Sequence, residues 1–216
     1  MPQILKIDSN AVSAQAQKVL LQGGVIAFPT DTFYGLGVDP FNRKAVERVY
    51  EIKNRDKNKP LLLLVSSREQ LETLVKEITP AHLALMQKFW PGPLTLLFEP
   101  RSVIPANVSA DRIGIRQPGN SMTRNLISAL GQPITAPSAN LSGEEPPVTA
   151  GQVQKSLGNH VDLILDGGPC PGGEPSTLVD AVETPVRLVR LGAIPFNKIE
   201  MTLRGNAKSV HPKVLR

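Results

Sequence analysis

The stretch Val25-Ile26-Ala27-Phe28-Pro29-Thr30-Asp31-Thr32-Phe33-Tyr34-Gly35-Leu36-Gly37 decides the fold class. Its first four residues form an apolar run of strand length, and Pro29 stops it because proline has no N–H to continue a ladder. Residues 30–37 then read as a polar, glycine-bearing loop, and loops at strand ends are where sites are built. Upstream, Ser9 or Asn10 can cap a helix running to about Leu21, with Val12, Ala16, Val19 and Leu20 on one face and Gly23-Gly24 closing it. Downstream, residues 43–53 place Ala45, Val46, Val49, Tyr50 and Ile52 at helical intervals. Helix, strand, loop and helix in succession is the alternation of a mixed α/β domain.

The alternation continues to the end of the chain. Pro60 opens a strand over 61–65, and Ser67 with Gln70 makes a capping box for a third helix. Thr79-Pro80 starts a fourth helix reaching Trp90, where Pro91-Gly92-Pro93 breaks it. Strands are expected over 94–98, 113–116, 134–136, 161–165, 177–182 and 186–189. A helix over 121–130 is closed by Gly131, and Thr149 with Gln152 caps another to Leu157. The expected architecture is helices around a sheet of about seven strands. Residues 144–149 and 167–175 read as flaps. Beyond Ile194 the alternation of Ile199, Met201 and Leu203 reads as an edge strand or as a disordered terminus.

With 216 residues, 41% hydrophobic and 20% charged, the chain has the composition of a soluble globular protein of one domain. No apolar run approaches the roughly 18 residues of a membrane span. The N-terminus lacks the pattern of a secretory or transit segment, which points to the cytoplasm. A single Cys170 forms no internal disulfide, and His82, His160 and His211 have no ligand spacing, so no structural metal is expected. The excess of 24 basic over 19 acidic residues favours an anionic partner, nucleotide or RNA. Arg204, Lys208, Lys213 and Arg216 in the last thirteen residues meet no acid; the alternative is a solvated tail.

Four constellations carry chemistry. In residues 29–37, hydroxyls orient a polar substrate while glycines admit its close approach; the alternative is a capped turn. In the basic segment 53–59, Lys53 and Arg55 are two apart and project to one side of an extended chain, as anion holders or as a solvated charge run. Pro137-Ser138-Ala139-Asn140-Leu141-Ser142-Gly143 offers hydroxyl and amide groups at a strand exit, and Ser176-Thr177 with Arg190 repeats the pattern. Trp90-Pro91-Gly92-Pro93 reads mainly as a structural plug. Walker A, Rossmann and nucleophile-elbow motifs are absent.

In order along nearly the whole chain, these segments resemble the YrdC/Sua5 family of threonylcarbamoyl-AMP synthases. The pieces are residues 29–37, Lys53-x-Arg55, Trp90-Pro91-Gly92-Pro93-Leu94-Thr95, Ile115-Arg116-Gln117-Pro118, residues 137–143, Ser176-Thr177-Leu178-Val179-Asp180 and Arg190-x-Gly192. The resemblance implies a twisted mixed β-sheet flanked by helices, with a large basic concave surface, over residues 1–195, followed by a basic tail over 196–216. It implies a nucleotidyltransferase that condenses L-threonine, bicarbonate and ATP, with Mg2+ on the phosphates, to threonylcarbamoyl-AMP and pyrophosphate. The product serves the t6A37 modification of tRNA through a separate threonylcarbamoyl transferase complex, with some weak binding of tRNA itself.

Residue by residue, the resemblance makes Lys53 and Arg55 catalytic. It puts Thr32, Tyr34, Arg116, Ser138 and Ser176 on threonine and carbamate, with Arg116 clamping the threonine carboxylate. Arg55, Lys59, Asn140 and Arg190 fall on the ATP side. Three positions depart from the family's habit: Leu64 stands where His is frequent, Lys59 where Asn is common, and Pro175 where an acidic residue is frequent. Longer members append a further domain, so the chain reads as a short form whose lid is residues 144–149 or the tail. The alternatives are a noncatalytic RNA-binding or ribosome-associated module, against which the 4% aromatic content speaks, and a YciO-like paralogue acting on another substrate.

Overall fold

A computed structural model describes residues 2–7, 10–109 and 111–207. The element order is β1 (Gln3–Lys6), α1 (Asn10–Leu21), β2 (Ile26–Phe28), β3 (Gly35–Gly37), α2 (Arg43–Lys53), β4 (Leu63–Leu64), α3 (Arg68–Leu74), α4 (Pro80–Phe89) and β5 (Leu94–Phe98). It continues with β6 (Ile113–Arg116), α5 (Ser121–Leu130), β7 (Ile134–Thr135), α6 (Ala150–Leu157), β8 (Leu163–Asp166), β9 (Thr177–Asp180), β10 (Arg187–Arg190) and α7 (Phe196–Ala207). Mixed α/β is therefore correct, but the strands form two sheets in place of one, in the orders β1-β8-β2-β3 and β10-β9-β5-β6-β4-β7. Both mix parallel and antiparallel pairs, as in β2 against β8 and β3, or β4 against β6 and β7. Among the described residues no helix is long and apolar enough to cross a membrane.

Strand β2 shows why the opening stretch carries so much weight. Val25 and Ala27 belong to the larger apolar cluster, whereas Ile26 and Phe28 belong to the smaller one. Alternate side chains thus feed two cores, so the run is apolar throughout. The residues expected as a continuous loop turn back as β3, pairing Ile26 with Gly37, Ala27 with Leu36 and Phe28 with Gly35. Gly37 permits that hairpin because a Cβ there would lie 2.8 Å from the Phe28 ring.

The sheets are joined along one seam. The Thr135 hydroxyl donates to Leu36 O and accepts from Val38 N, both at 3.0 Å, and Leu36 N donates to Pro137 O at 2.8 Å. Ala139 N then reaches Tyr34 O at 2.8 Å, and Gly35 bridges Ser138. This seam sets the 30–35 turn beside the 137–143 segment, two of the four constellations expected to carry chemistry.

Three further expectations are corrected. The run 61–65 is strand only at Leu63–Leu64, because Leu61 N and Val65 N donate to Val108 O and Arg116 O while only the middle pair is flanked on both sides. Strand β1, which is not expected from its mixed composition, pairs in parallel with β8. The alternation at Ile199, Met201 and Leu203 is not a strand: α7 buries Ile199, packs Phe196 and Leu203 on the core and leaves Met201 70% exposed. Spacings of three and four between 196, 199 and 203 are helical, and that period wins. Lys208, Lys213 and Arg216 lie outside the described residues.

Of the expected caps, Ser9 lies outside the described residues, and the later ones form as follows. Asn120 and Gly131 bound α5, and Thr149 with Gln152 makes a full box on α6. Ser67 caps α3, with Gln70 reaching back to Ser66 N rather than to Ser67. On α4 the box is Thr79 with His82, whose Nδ1 accepts from Thr79 N at 3.1 Å while Nε2 meets Leu97 O at 2.9 Å. That pattern requires the neutral ring protonated on Nε2. Burial lowers the His82 pKa, outweighing the Leu97 bond and the charges of Asp180 and Glu77, which raise it. A folded pKa below the unfolded one gives stability that is present above about pH 6.5 and lost as pH falls. The melting temperature should therefore drop between pH 7 and pH 5, and His82→Gln, which keeps a capping acceptor of about 1 kcal/mol without titrating, should flatten that drop; an unchanged slope by calorimetry would count against the role of His82.

Candidate active site

A cavity of about 490 Å³ opens between the 30–35 turn, the basic segment, β5 and β6, Ser138 and the β9–β10 pair. Five cations reach its wall: Arg55, Lys59, Arg112, Arg116 and Arg190. Thr30, Thr32, Thr95, Ser138 and Ser176 supply hydroxyls, while Leu61, Leu62, Leu97, Ala136, Leu178 and Val189 form apolar wall. No Asp or Glu among the described residues lines it. An acid-free pocket with cations on one part and apolar surface on another suits a ligand that is polyanionic at one end and flat and apolar at the other.

The turn is held by Thr30, whose hydroxyl donates to Phe33 O at 2.7 Å and accepts from Thr32 N at 3.1 Å. The Thr32 hydroxyl stands 3.1 Å from that of Thr30 and 3.4 Å from Arg116 Nη1. Arg116 ends β6 and is buried; its Nη2 lies 3.1 Å from Asp31 Oδ1, an ion pair without hydrogen-bond alignment, and its Nε has no partner. Burial lowers the Arg116 pKa, against the raising effect of Asp31 and Cys170. The thiol of Cys170, beside the same group, is pushed up to about 11, chiefly by burial, which disfavours the thiolate.

Arg190 is exposed as a residue, yet its guanidinium is anchored on Ser176, with Nη2 2.8 Å from the carbonyl oxygen and 3.1 Å from Oγ. Burial of the head, then the charges of Arg116 and Arg55, lower its pKa, which records the convergence of three guanidiniums. Thr95 Oγ1 lies 2.7 Å from Ser176 Oγ, so β5 and the entry to β9 share one polar node. Gly192 explains the Arg190-x-Gly192 spacing: a Cβ there would lie 2.1 Å from Pro175 O. The chain passes so close to residues 175–177 that only glycine fits, and Ala193 N bonds Pro175 O at 2.9 Å.

Of the residues expected at the site, Thr32, Tyr34, Arg55, Lys59, Arg116, Ser138, Ser176 and Arg190 reach the wall. Tyr34 does so with its hydroxyl already committed to Gly168 O at 2.8 Å, and burial raises its pKa. Lys53 and Asn140 are not brought to the wall. Lys53 ends α2, and Asn54 follows in the left-handed conformation, so Lys53 and Arg55 do not project together from an extended chain. The Lys53 ammonium is buried behind the wall and donates to the carbonyls of Ser138 and Asn140, the latter at 2.7 Å. Burial first, then the charge of Arg55, lowers its pKa to about 8. Asn140 donates from Nδ2 to Leu141 O and Glu144 O at 2.8 Å, which shapes the loop that follows.

Thr95 and Arg112 are wall residues that the sequence reading passes over. Thr95 lies two residues beyond the Trp90-Pro91-Gly92-Pro93 segment read as structural, and Trp90 does act so, with Nε1 donating to Leu94 O at 2.7 Å. Arg112 pairs with Glu99 and Glu183 at 3.2 Å, and nothing in its sequence neighbourhood marks it. The two expected flaps are tied down: Tyr34 N bonds Pro147 O, Cys170 N bonds Val148 O and Gly172 N bonds Thr32 O. Of the three departures, Leu64 lies in the smaller apolar cluster, while Lys59 and Pro175 line the cavity.

Residues 18–192 match the model of the Sua5/YciO/YrdC family, described as telomere recombination. A threonylcarbamoyl-AMP synthase of Pyrococcus abyssi is 38% identical over 195 residues, which cover 89% of this chain and 57% of that protein. The crystal structure of P. abyssi Sua5 complexed with L-threonine superposes with a TM-score of 0.88 at 35% identity, over 94% of this chain and 61% of the other. The crystal structure of Escherichia coli YciO gives a TM-score of 0.84 at 27% identity, over 92% of this chain and all of that one. The chain thus spans less than two thirds of the length of the P. abyssi protein.

Two substitutions test this construction. Gly192→Ala forces the backbone at residues 175–177 to move, at about 1–3 kcal/mol, and should lower both the melting temperature and ligand affinity. Lys53→Met leaves two carbonyls unsatisfied at about 1–3 kcal/mol each and should speed hydrogen exchange across residues 138–142. Because the folded pKa of Lys53 lies below its unfolded value, wild-type stability gains from this group as pH rises above about 8. That gain should vanish in Lys53→Met, and its persistence would remove Lys53 as its source.

Proposed function

The chain belongs to the Sua5/YciO/YrdC family, and from that premise we propose that its cavity condenses L-threonine, bicarbonate and ATP to threonylcarbamoyl-AMP and pyrophosphate. The observation that carries the reading is the convergence of Arg55, Lys59, Arg112, Arg116 and Arg190, interleaved with hydroxyls, on one cavity free of acidic residues. Neutral threonine amine attacks the bicarbonate carbon, forming the N–C bond and releasing water. A carbamate oxygen then attacks the α-phosphorus of ATP, and the bond to the bridging oxygen of the β-phosphate breaks to release pyrophosphate. Both steps gather negative charge in a small volume, so the work of the protein is positioning and electrostatic stabilisation. No protein nucleophile is needed.

In this reading Arg116, with Thr32 beside it, receives the amino-acid carboxylate. Arg55, Lys59 and Arg190 face carbamate and phosphates, with the base and ribose on the apolar wall. Among the described residues no group of His, Cys, Asp and Glu stands ready to hold a metal. In this reading magnesium enters as MgATP, held by the phosphates as part of the substrate. A cytoplasmic location and delivery of the product to a tRNA threonylcarbamoyl transferase complex complete the proposal. The full-length match to YciO favours one second reading, a paralogue that keeps the cavity and uses another substrate.

The test is pyrophosphate release from MgATP by the purified chain, with threonine and bicarbonate omitted in turn. Release that needs both supports the synthase, while ATP binding without such release supports the paralogue. Arg116→Ala should raise the KM for threonine by about ten- to a hundredfold, the worth of a charge-assisted contact, with a smaller effect on ATP. Arg55→Ala should instead act mainly on ATP and on turnover.

A further inference from the structure

Asp31 occupies the middle of the opening turn, between two threonines that line the cavity, yet does not line it itself. It stands behind Arg116, with Oδ1 3.1 Å from Nη2, in a pair whose side chains are only 15% and 3% exposed. We propose that Asp31 is the positioning residue that aims the Arg116 guanidinium at the substrate carboxylate, and that Gly119 lacks a side chain so that Asp31 can stand there. The proposal rests on the reading of Arg116 given above and deepens it.

Three observations support it. The guanidinium has few holds: Asp31 is at Nη2, the Thr32 hydroxyl is 3.4 Å from Nη1, and Nε has no partner. Neither oxygen of Asp31 has an aligned donor, so the pair is matched in charge while Asp31 itself takes up no hydrogen bond of the arginine. Gly119 is packed against Asp31. A Cβ at 119 would lie 3.0 Å from Asp31 Oδ2 and 3.2 Å from both its Cβ and Cγ.

The backbone of Gly119 adopts no left-handed conformation, so its conformation alone does not demand glycine. Nor is the segment free to retreat. Arg124 Nη1 donates to Pro118 O and Gly119 O, each at 2.7 Å, and Asn120 caps α5 by accepting from Thr123 N. A methyl group at 119 would therefore press on Asp31 and, through it, turn Arg116, with every charge kept.

The competing view is that Asp31 only neutralises a buried arginine. Aim and neutralisation predict opposite signs. If Asp31 only neutralises, removing its charge frees the field of Arg116 and a carboxylate ligand binds more tightly. If it aims the guanidinium, the ligand binds more weakly, and a charge-conserving displacement does the same.

The experiment measures binding of L-threonine, L-threoninamide and ATP to wild type, Asp31→Asn and Gly119→Ala by calorimetry. Both variants should lose about tenfold in threonine affinity with threoninamide and ATP nearly unchanged, because the lost contact belongs to the carboxylate. A merely structural effect would weaken all three ligands alike and overturn the proposal, as would threonine affinity that is unchanged or higher in both variants. Asp31→Asn leaves a buried cation without its counter-charge; if it fails to fold, Gly119→Ala decides alone. Wild type that binds no threonine would sink the synthase reading and this proposal together, whereas wild type that binds it beside unaffected variants sinks this proposal only.

Discussion

The structure depends on the seam where residues 34–38 of one sheet meet residues 135–139 of the other. A hydroxyl and three backbone bonds, at Thr135, Leu36 and Ala139, do there what a continuous ladder would do within one sheet. These groups are buried, so leaving any of them unpaired would cost about 1–3 kcal/mol each. The angle between the sheets is thereby fixed at the point where the turn bearing Thr30 and Thr32 faces Ser138. The reaction proposed for this cavity brings three substrates to one point and gains most from walls that do not move relative to each other.

The wall gathers like charges, which repel, and the fold answers this locally. Arg116 has Asp31 at its back, Arg112 has Glu99 and Glu183, and Arg190 is anchored on the carbonyl and hydroxyl of Ser176. The three carboxylates, Asp31, Glu99 and Glu183, do not line the cavity, so the residual field points inward. Preorganised charge of this kind is already oriented before a ligand arrives, and water need not be reorganised during the reaction.

Much of this was legible in the sequence where a local rule and the tertiary demand agree. The helix over 121–130 announces itself through Gly131, and that over 150–157 through Thr149 and Gln152, because capping is a contact between near neighbours. What was not legible depends on partners remote in sequence. Gly35–Gly37 looks like loop because its strand character comes from Phe28 lying across it, and the division into two sheets comes from the seam. The tail misleads because Ile199, Met201 and Leu203 fit a period of two, whereas Ile199 and Leu203 alone also fit one near four, and only Phe196 and the core beneath it decide. At the site, residue types at strand exits marked most of the wall, but the sequence could not tell which lysine faces inward.

That distinction has a physical basis. Burial lowers the Lys53 pKa to about 8, close enough to neutrality that its charge depends on conditions. The same desolvation acts on Arg116, Arg55 and Arg190, yet a guanidinium starts so much higher that it stays charged when partly withdrawn from water. A wall whose charge is to stay constant is therefore better built from arginine, and its one lysine, Lys59, is exposed. Lys53 is placed where charge matters less: an ammonium offers three N–H donors and a neutral amine two, and its carbonyl acceptors, at Ser138 and Asn140, number two. It can hold the Ser138–Asn140 loop in either state, so the sharing of cations between wall and support follows from how each responds to burial.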